Sequence, residues 1–147
     1  MNPASRPEPK PSRGRVLRWT AFSAYALLLL SLSSIPGPKL PQELGRVNDK
    51  LLHGIAYSGA GGLARLATGS LPWATAAVAL LGAVDENYQR LIPGRTPDPL
   101  DWTADLAGGF LGALSAALAQ RYRSRRARSV PRERTPSSKR EELRERR

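Results

Sequence analysis

A chain of 147 residues with 23 Lys and Arg against 12 Asp and Glu, a net charge of +11 and no cysteine excludes a disulfide-framed domain and any thiolate metal centre. Its length is that of one domain, and a hydrophobic share of 41% would suit an ordinary soluble basic protein if the residues were evenly mixed. They are not: residues 1–18 hold five basic residues against Glu8 and residues 120–147 hold twelve against four acids, so the ends carry +4 and +8 while the Leu-, Ala- and Gly-rich middle carries −1.

Residues 1–15, MNPASRPEPKPSRGR, are rich in Pro, Ser and Arg and too polar to build a core, which predicts a disordered basic tail. Residues 16–35, VLRWTAFSAYALLLLSLSSI, are the first apolar run, long enough to cross a hydrocarbon core of about 30 Å at about 1.5 Å per residue. Trp19 and Tyr25 suit interfacial positions on it, and PGP at 36–38 ends it. The rival for this segment is a cleaved signal peptide, since a basic start and SLSS before a proline fit one; three further apolar segments would still need a membrane. A second helix is expected over 50–68, where Gly54, Ser58 and Gly62 recur every four positions and let another backbone approach. Pro72 opens a third over 72–91, and Asp98 with Pro99 opens a fourth over 99–119 containing Gly108 and Gly112. Residues 120–147, beginning QRYRSRRARS, read as a second disordered basic tail that contacts anionic lipid rather than nucleic acid.

The fold class this predicts is all-α, a four-transmembrane-helix bundle with disordered basic tails. Four spans place both termini on one side, and Lys and Arg at the flanks assign that side to the cytoplasm. The stretches 36–49 and 90–99 then face outward, with Lys39, Arg46, Arg90 and Arg95 partly balanced by Glu43, Asp49 and Asp98.

In this topology scattered polar residues fall at one depth. Asp85 lies thirteen residues beyond Pro72, about 20 Å along the helix and within the hydrocarbon, so Asp85 and Glu86 are expected as buried acids. Asp49, His53 and Tyr57 share one face of the second helix with Lys50 beside them, and Asp101 and Asp105 stand one turn apart at the start of the fourth. One ionisable side chain at a helix centre costs about 2.5–3.5 kcal/mol on insertion scales, so the groups must face one another or water. Arg90, Arg95, Lys50 or protonated His53 are the available compensation for the acids. Plainer roles compete: Asp98 as an N-cap, Asp101 and Asp105 as acids favoured at a helix N-terminus, Asn48 or Asp49 as a cap, His53 as a hydrogen-bonded structural group, Tyr57 as packing and Arg95 as a loop arginine.

DKLLHGIAY over 49–57 and DENYQRLIPGRTPDPLDWTADLAGGFLG over 85–112 together resemble the VanZ-like family of small bacterial membrane proteins, named for a member associated with resistance to the glycopeptide teicoplanin. The matching positions are Asp49, Lys50, His53 and Tyr57; Asp85, Glu86 and Gln89; Pro93, Gly94 and Arg95; and Asp101, and the likeness covers about residues 16–119. The chain departs from the pattern at Gly54, where an aromatic is usual, and at Asp105, where an asparagine is usual. What the resemblance implies is an envelope-related protein of the plasma membrane, with an outward polar pocket for a lipid-linked or cell-wall precursor or a lipid headgroup. In the binding version Arg95 and Lys50 hold an anion while Asp49, Tyr57, Gln89, Asp101, Asp105 and the other acids orient it. In the enzyme version His53 with Asp85 or Glu86 is a general acid and base; in a third version the buried charges only lock helices together. No cofactor is expected. A divalent metal on His53 and carboxylates is disfavoured because no second histidine or cysteine supports it, and no serine-triad motif is present.

Overall fold

The computed structural model describes residues 12–36 and 49–129; the tails over 1–11 and 130–147, and residues 37–48 of the expected outer loop with Asn48, lie outside the described residues. Within them the chain is all-helical, with no strand: α1 Arg13–Ser33, α2 Asp49–Thr68, α3 Leu71–Gln89 and α4 Pro99–Ser129. α1 and α4 are long and apolar enough to cross a membrane.

Two boundaries correct the sequence reading. α1 starts at Arg13 rather than 16, because extended Ser12 accepts a hydrogen bond from the Arg15 N–H at 3.4 Å and caps the first turn. α4 runs to Ser129 rather than 119, so residues 120–129, expected to be disordered, are helical. Arg and Ala are strong helix formers, and Arg126 and Arg128 occupy the last turn, where cations complement the macrodipole.

The chain divides into two compact units, residues 1–117 and 118–147. In the second, the described stretch 118–129 is helical with Leu118 and Tyr122 exposed, and Ser124 donates to the Gln120 carbonyl. In the first, successive helices alternate in direction. Arg18 near the start of α1 donates to the Leu66 carbonyl near the end of α2 at 3.5 Å, while Ser34 just past α1 hydrogen-bonds Tyr88 near the end of α3 at 3.0 Å. One end of this unit therefore gathers the C-termini of α1 and α3 and the N-termini of α2 and α4.

Small residues hold the interior. Ala60, Ala64, Ala74, Val78 and Ala113 form the core with Leu29 and Tyr57. Leu27, Ile55, Trp73, Leu80 and Leu111 stand exposed. The interior is thus mostly small residues, while many large apolar side chains stand on the outside. Between α2 and α4 the contact is backbone on backbone: a methyl group on Gly108 would strike the Gly54 carbonyl, one on Gly112 the Ser58 carbonyl and one on Gly61 the Gly109 carbonyl. Tyr25, expected at an interface, is instead partly buried and donates to the Ala56 carbonyl at 3.0 Å, in space that Gly59 leaves open. Trp102 ties α4 to α3 through its Nε1–H and the Ala79 carbonyl, 3.0 Å apart.

Candidate functional site

Local sequence sets the end of the bundle where the polar residues meet. Past α3, Ile92-Pro93-Gly94-Arg95 makes a tight turn closed by the Arg95 N–H on the Ile92 carbonyl at 3.1 Å. Gly94 at φ +73° supplies the left-handed residue that follows proline in a type II turn. Asp98 then starts α4 as a cap, its Oδ1 accepting the Leu100 N–H at 2.9 Å, and its own N–H donates to Glu86 Oε2 at 3.0 Å, tying the loop back to α3. The capping role proposed for Asp98 is present, and the residue does more than cap.

Three helices deliver ionisable groups here. From α2, Lys50 Nζ reaches Asp98 Oδ2 at 2.7 Å and Asp101 Oδ1 at 2.9 Å. One turn on, His53 Nδ1 lies 2.8 Å from Asp105 Oδ1, and its Nε2 lies 4.0 Å from Asp101 Oδ2. A further turn on, Tyr57 donates from its hydroxyl to Asp85 Oδ2 at 3.1 Å, its ring stacked over the imidazole with an interplanar angle of 18°. His53 and Tyr57 of the face read from the sequence, with Lys50 beside them in place of Asp49, therefore form a ladder whose rungs end on carboxylates of α3, α4 and the residue before α4.

Burial separates the rungs. Asp105 is 0% and Asp85 1% exposed, and Glu86, Gln89, Asp101 and Tyr57 are also buried. Lys50 and Asp98 lie nearer the surface, with side chains 40% and 39% exposed. The Lys50 ammonium, helped by the Leu100 N–H, holds the Asp98 carboxyl below the usual carboxylate range. A carboxylate can only accept, so with Asp105 ionised the bond needs a proton on Nδ1, and in the neutral form of the ring Nε2 keeps its lone pair. Nε2 can then take up a proton or bind a cation.

Not every expected residue joins. Of the cations proposed to balance the acids, Lys50 and His53 pair with carboxylates, whereas Arg90 and Arg95 form no ion pair among the described residues. His53 is engaged by Asp105, while Asp85 is held by Tyr57 and Glu86 by the Asp98 backbone. Asp85 Oδ1, Glu86 Oε1, Asp105 Oδ2, Gln89 Nε2 and Arg95 Nε are buried and make no hydrogen bond to a described residue. Asp49, at the exposed start of α2, puts a carboxylate oxygen within 4.8 Å of ligating atoms of His53 and Asp101.

Two supporting residues were not legible as site residues. Gly82 on α3 leaves the space filled by Asp105 Oδ2 and the Trp102 ring, each 3.1 Å from where its Cβ would stand. Gly61 lets α4 approach α2. A single glycine in an apolar run carries no signal of what it faces, unlike the repeat at 108 and 112, which was read as a packing face of α4. No family model, curated protein or solved structure matches the chain.

Proposed function

We propose that this chain is a four-span membrane protein of the VanZ-like kind, with both termini cytoplasmic, that binds or modifies a polar group of a cell-envelope precursor or lipid headgroup at its outer end. The observation that carries this reading is the His53–Asp105 pair: a fully buried carboxylate 2.8 Å from Nδ1, with Nε2 left beside Asp101. Burying such a pair is costly in a bilayer, and ionisable groups kept at that depth mark sites of function. The outward-facing Leu, Ile and Trp side chains support lipid contact around all four helices, and the basic flanks support cytoplasmic termini.

The geometry redistributes the roles. Lys50 is engaged by two carboxylates, so capture of an anionic group falls to Arg95, whose buried Nε makes no hydrogen bond to a described residue, with Gln89 Nε2 a second such donor. His53 Nε2 is the proton acceptor, with Asp105 holding the ring and stabilising its charged form. The second reading, a structural lock, is favoured by one fact: Asp85, Glu86, Asp101 and Asp105 each already have a partner within the chain.

One set of variants separates the two. His53→Gln, Glu86→Gln and Arg95→Lys are expected to accumulate in the membrane at the parental level while abolishing any glycopeptide tolerance that the parent confers. Loss of the protein from the membrane in all three would favour the lock. Lipid extract incubated with purified protein and read by mass spectrometry then distinguishes modification from binding.

A further inference from the structure

We propose that Asp49, His53 and Asp101 form a binding site for a divalent cation of the zinc or manganese type. One ligating atom from each lies within 4.8 Å of the other two. The donor set, one imidazole nitrogen and two carboxylates, suits a borderline divalent metal better than an alkaline-earth ion, which takes oxygen alone.

The second observation is the gap between His53 and Asp101. His53 Nε2 and Asp101 Oδ2 are 4.0 Å apart, too far for a hydrogen bond. Asp101 is 95% buried, at 5% exposure, yet this oxygen accepts no hydrogen bond from a described residue, its sister Oδ1 being taken by Lys50. The two ligating atoms thus lie close together without bonding to each other. A metal at about 2.0–2.1 Å from each donor holds tetrahedral ligands about 3.3 Å apart. The His53–Asp101 pair must then close by roughly 0.7 Å and no pair by more than about 1.5 Å, which side-chain rotation supplies, Asp49 being exposed.

The surroundings fit. Asp105 on Nδ1 is the outer carboxylate that metal-binding histidines commonly carry: it fixes the tautomer and turns the lone pair of Nε2 toward the ion. Two carboxylates neutralise a divalent charge, and Lys50 bonds to Asp101 through the oxygen that the ion does not need. A tetrahedral ion on three protein donors keeps one position open, as hydrolytic metal sites do. The inference shares His53 and Asp101 with the proposed function but does not rest on it, since metal binding is measured without any envelope substrate.

His53 is the only histidine in the chain, so selective ¹⁵N-histidine labelling reports one imidazole. The full chain, purified in detergent through a histidine-free affinity handle and stripped with chelator, is titrated with zinc chloride, and separately with manganese chloride, by calorimetry. Expected are one zinc ion per chain, a Nε2 resonance that shifts on saturation while Nδ1 stays protonated, and at least tenfold weaker binding in Asp49→Asn. Asp49 is exposed, so this variant keeps the test open even where His53→Gln fails to fold. Two results would overturn the site: a Nε2 signal unchanged at saturating zinc, or undiminished affinity in Asp49→Asn, which would indicate an adventitious ion only.

Discussion

Asp105 and Asp98 are both acids at the start of α4, and their surroundings give them opposite sensitivities. Asp105 is fully buried against His53, so Asp105→Ala leaves the imidazole without its partner and opens a cavity; breaking such a buried pair costs about 3–5 kcal/mol. Asp105→Asn keeps the shape and an acceptor for the Nδ1–H, and is expected to cost about 1–2 kcal/mol or less. Thermal unfolding of both variants in detergent checks the contrast. Asp98 is more exposed, and Lys50 and the Leu100 N–H lower its carboxyl. Its contribution is complete above the unfolded-chain value of about 3.9 and is lost as pH falls through the lower folded value. Asp98→Asn should therefore melt below the parent at pH 7, and the two melting temperatures should converge as the pH drops below about 4.

Along the α2–α4 seam, neighbouring glycines differ in what they tolerate. A methyl group on Gly61 meets the Gly109 carbonyl, whereas one on Gly62 lies 3.7 Å from the Gly112 carbonyl, an ordinary contact. Gly61→Ala is expected to destabilise by about 1–3 kcal/mol or more through overpacking, and Gly62→Ala to be neutral or to stabilise by up to about 1 kcal/mol through a less flexible unfolded chain. Unfolding temperatures of the two variants side by side provide the measurement. Much at this scale was legible: four apolar runs divided by PGP, TGS and PGRTPD gave four helices because proline and the turn residues leave little choice of boundary. The end of α4 was not, because a run of arginines reads as a solvated tail by composition while its helix propensity is high. The register of α2 against α4 was only half legible: Gly54, Ser58, Gly108 and Gly112, all evident in the sequence, meet across the seam, whereas Gly61, also at a tight point, carried no signal and Gly62 is in looser contact.

Among the described residues of the first unit, many large apolar side chains stand exposed while Asp85, Glu86, Asp101 and Asp105 are buried, and successive helices alternate in direction. With four spans, a single cysteine at Asp98 should react with an impermeant maleimide added to intact cells, and one at Gly69, in the α2–α3 turn, only after the membrane is opened. Labelling of both from outside, or of neither, would sink the four-span arrangement. The set of residues gathered at this end of the bundle was legible because helical periodicity and position along each helix place Asp49, His53, Tyr57, Asp85, Asp101 and Asp105 together. Which acid takes which partner was not, because the choice between Asp105 and Asp85 for His53 turns on ångström-scale offsets between helices that no periodicity encodes.

The notched contact between α2 and α4 also limits how the protein can move. A screw slip of one helix past the other by a single residue advances it about 1.5 Å and lifts Gly108 and Gly112 off the Gly54 and Ser58 carbonyls, bringing bulkier neighbours against them. The seam works as a mechanical detent. It keeps Asp49 and His53 level with Asp101 and Asp105.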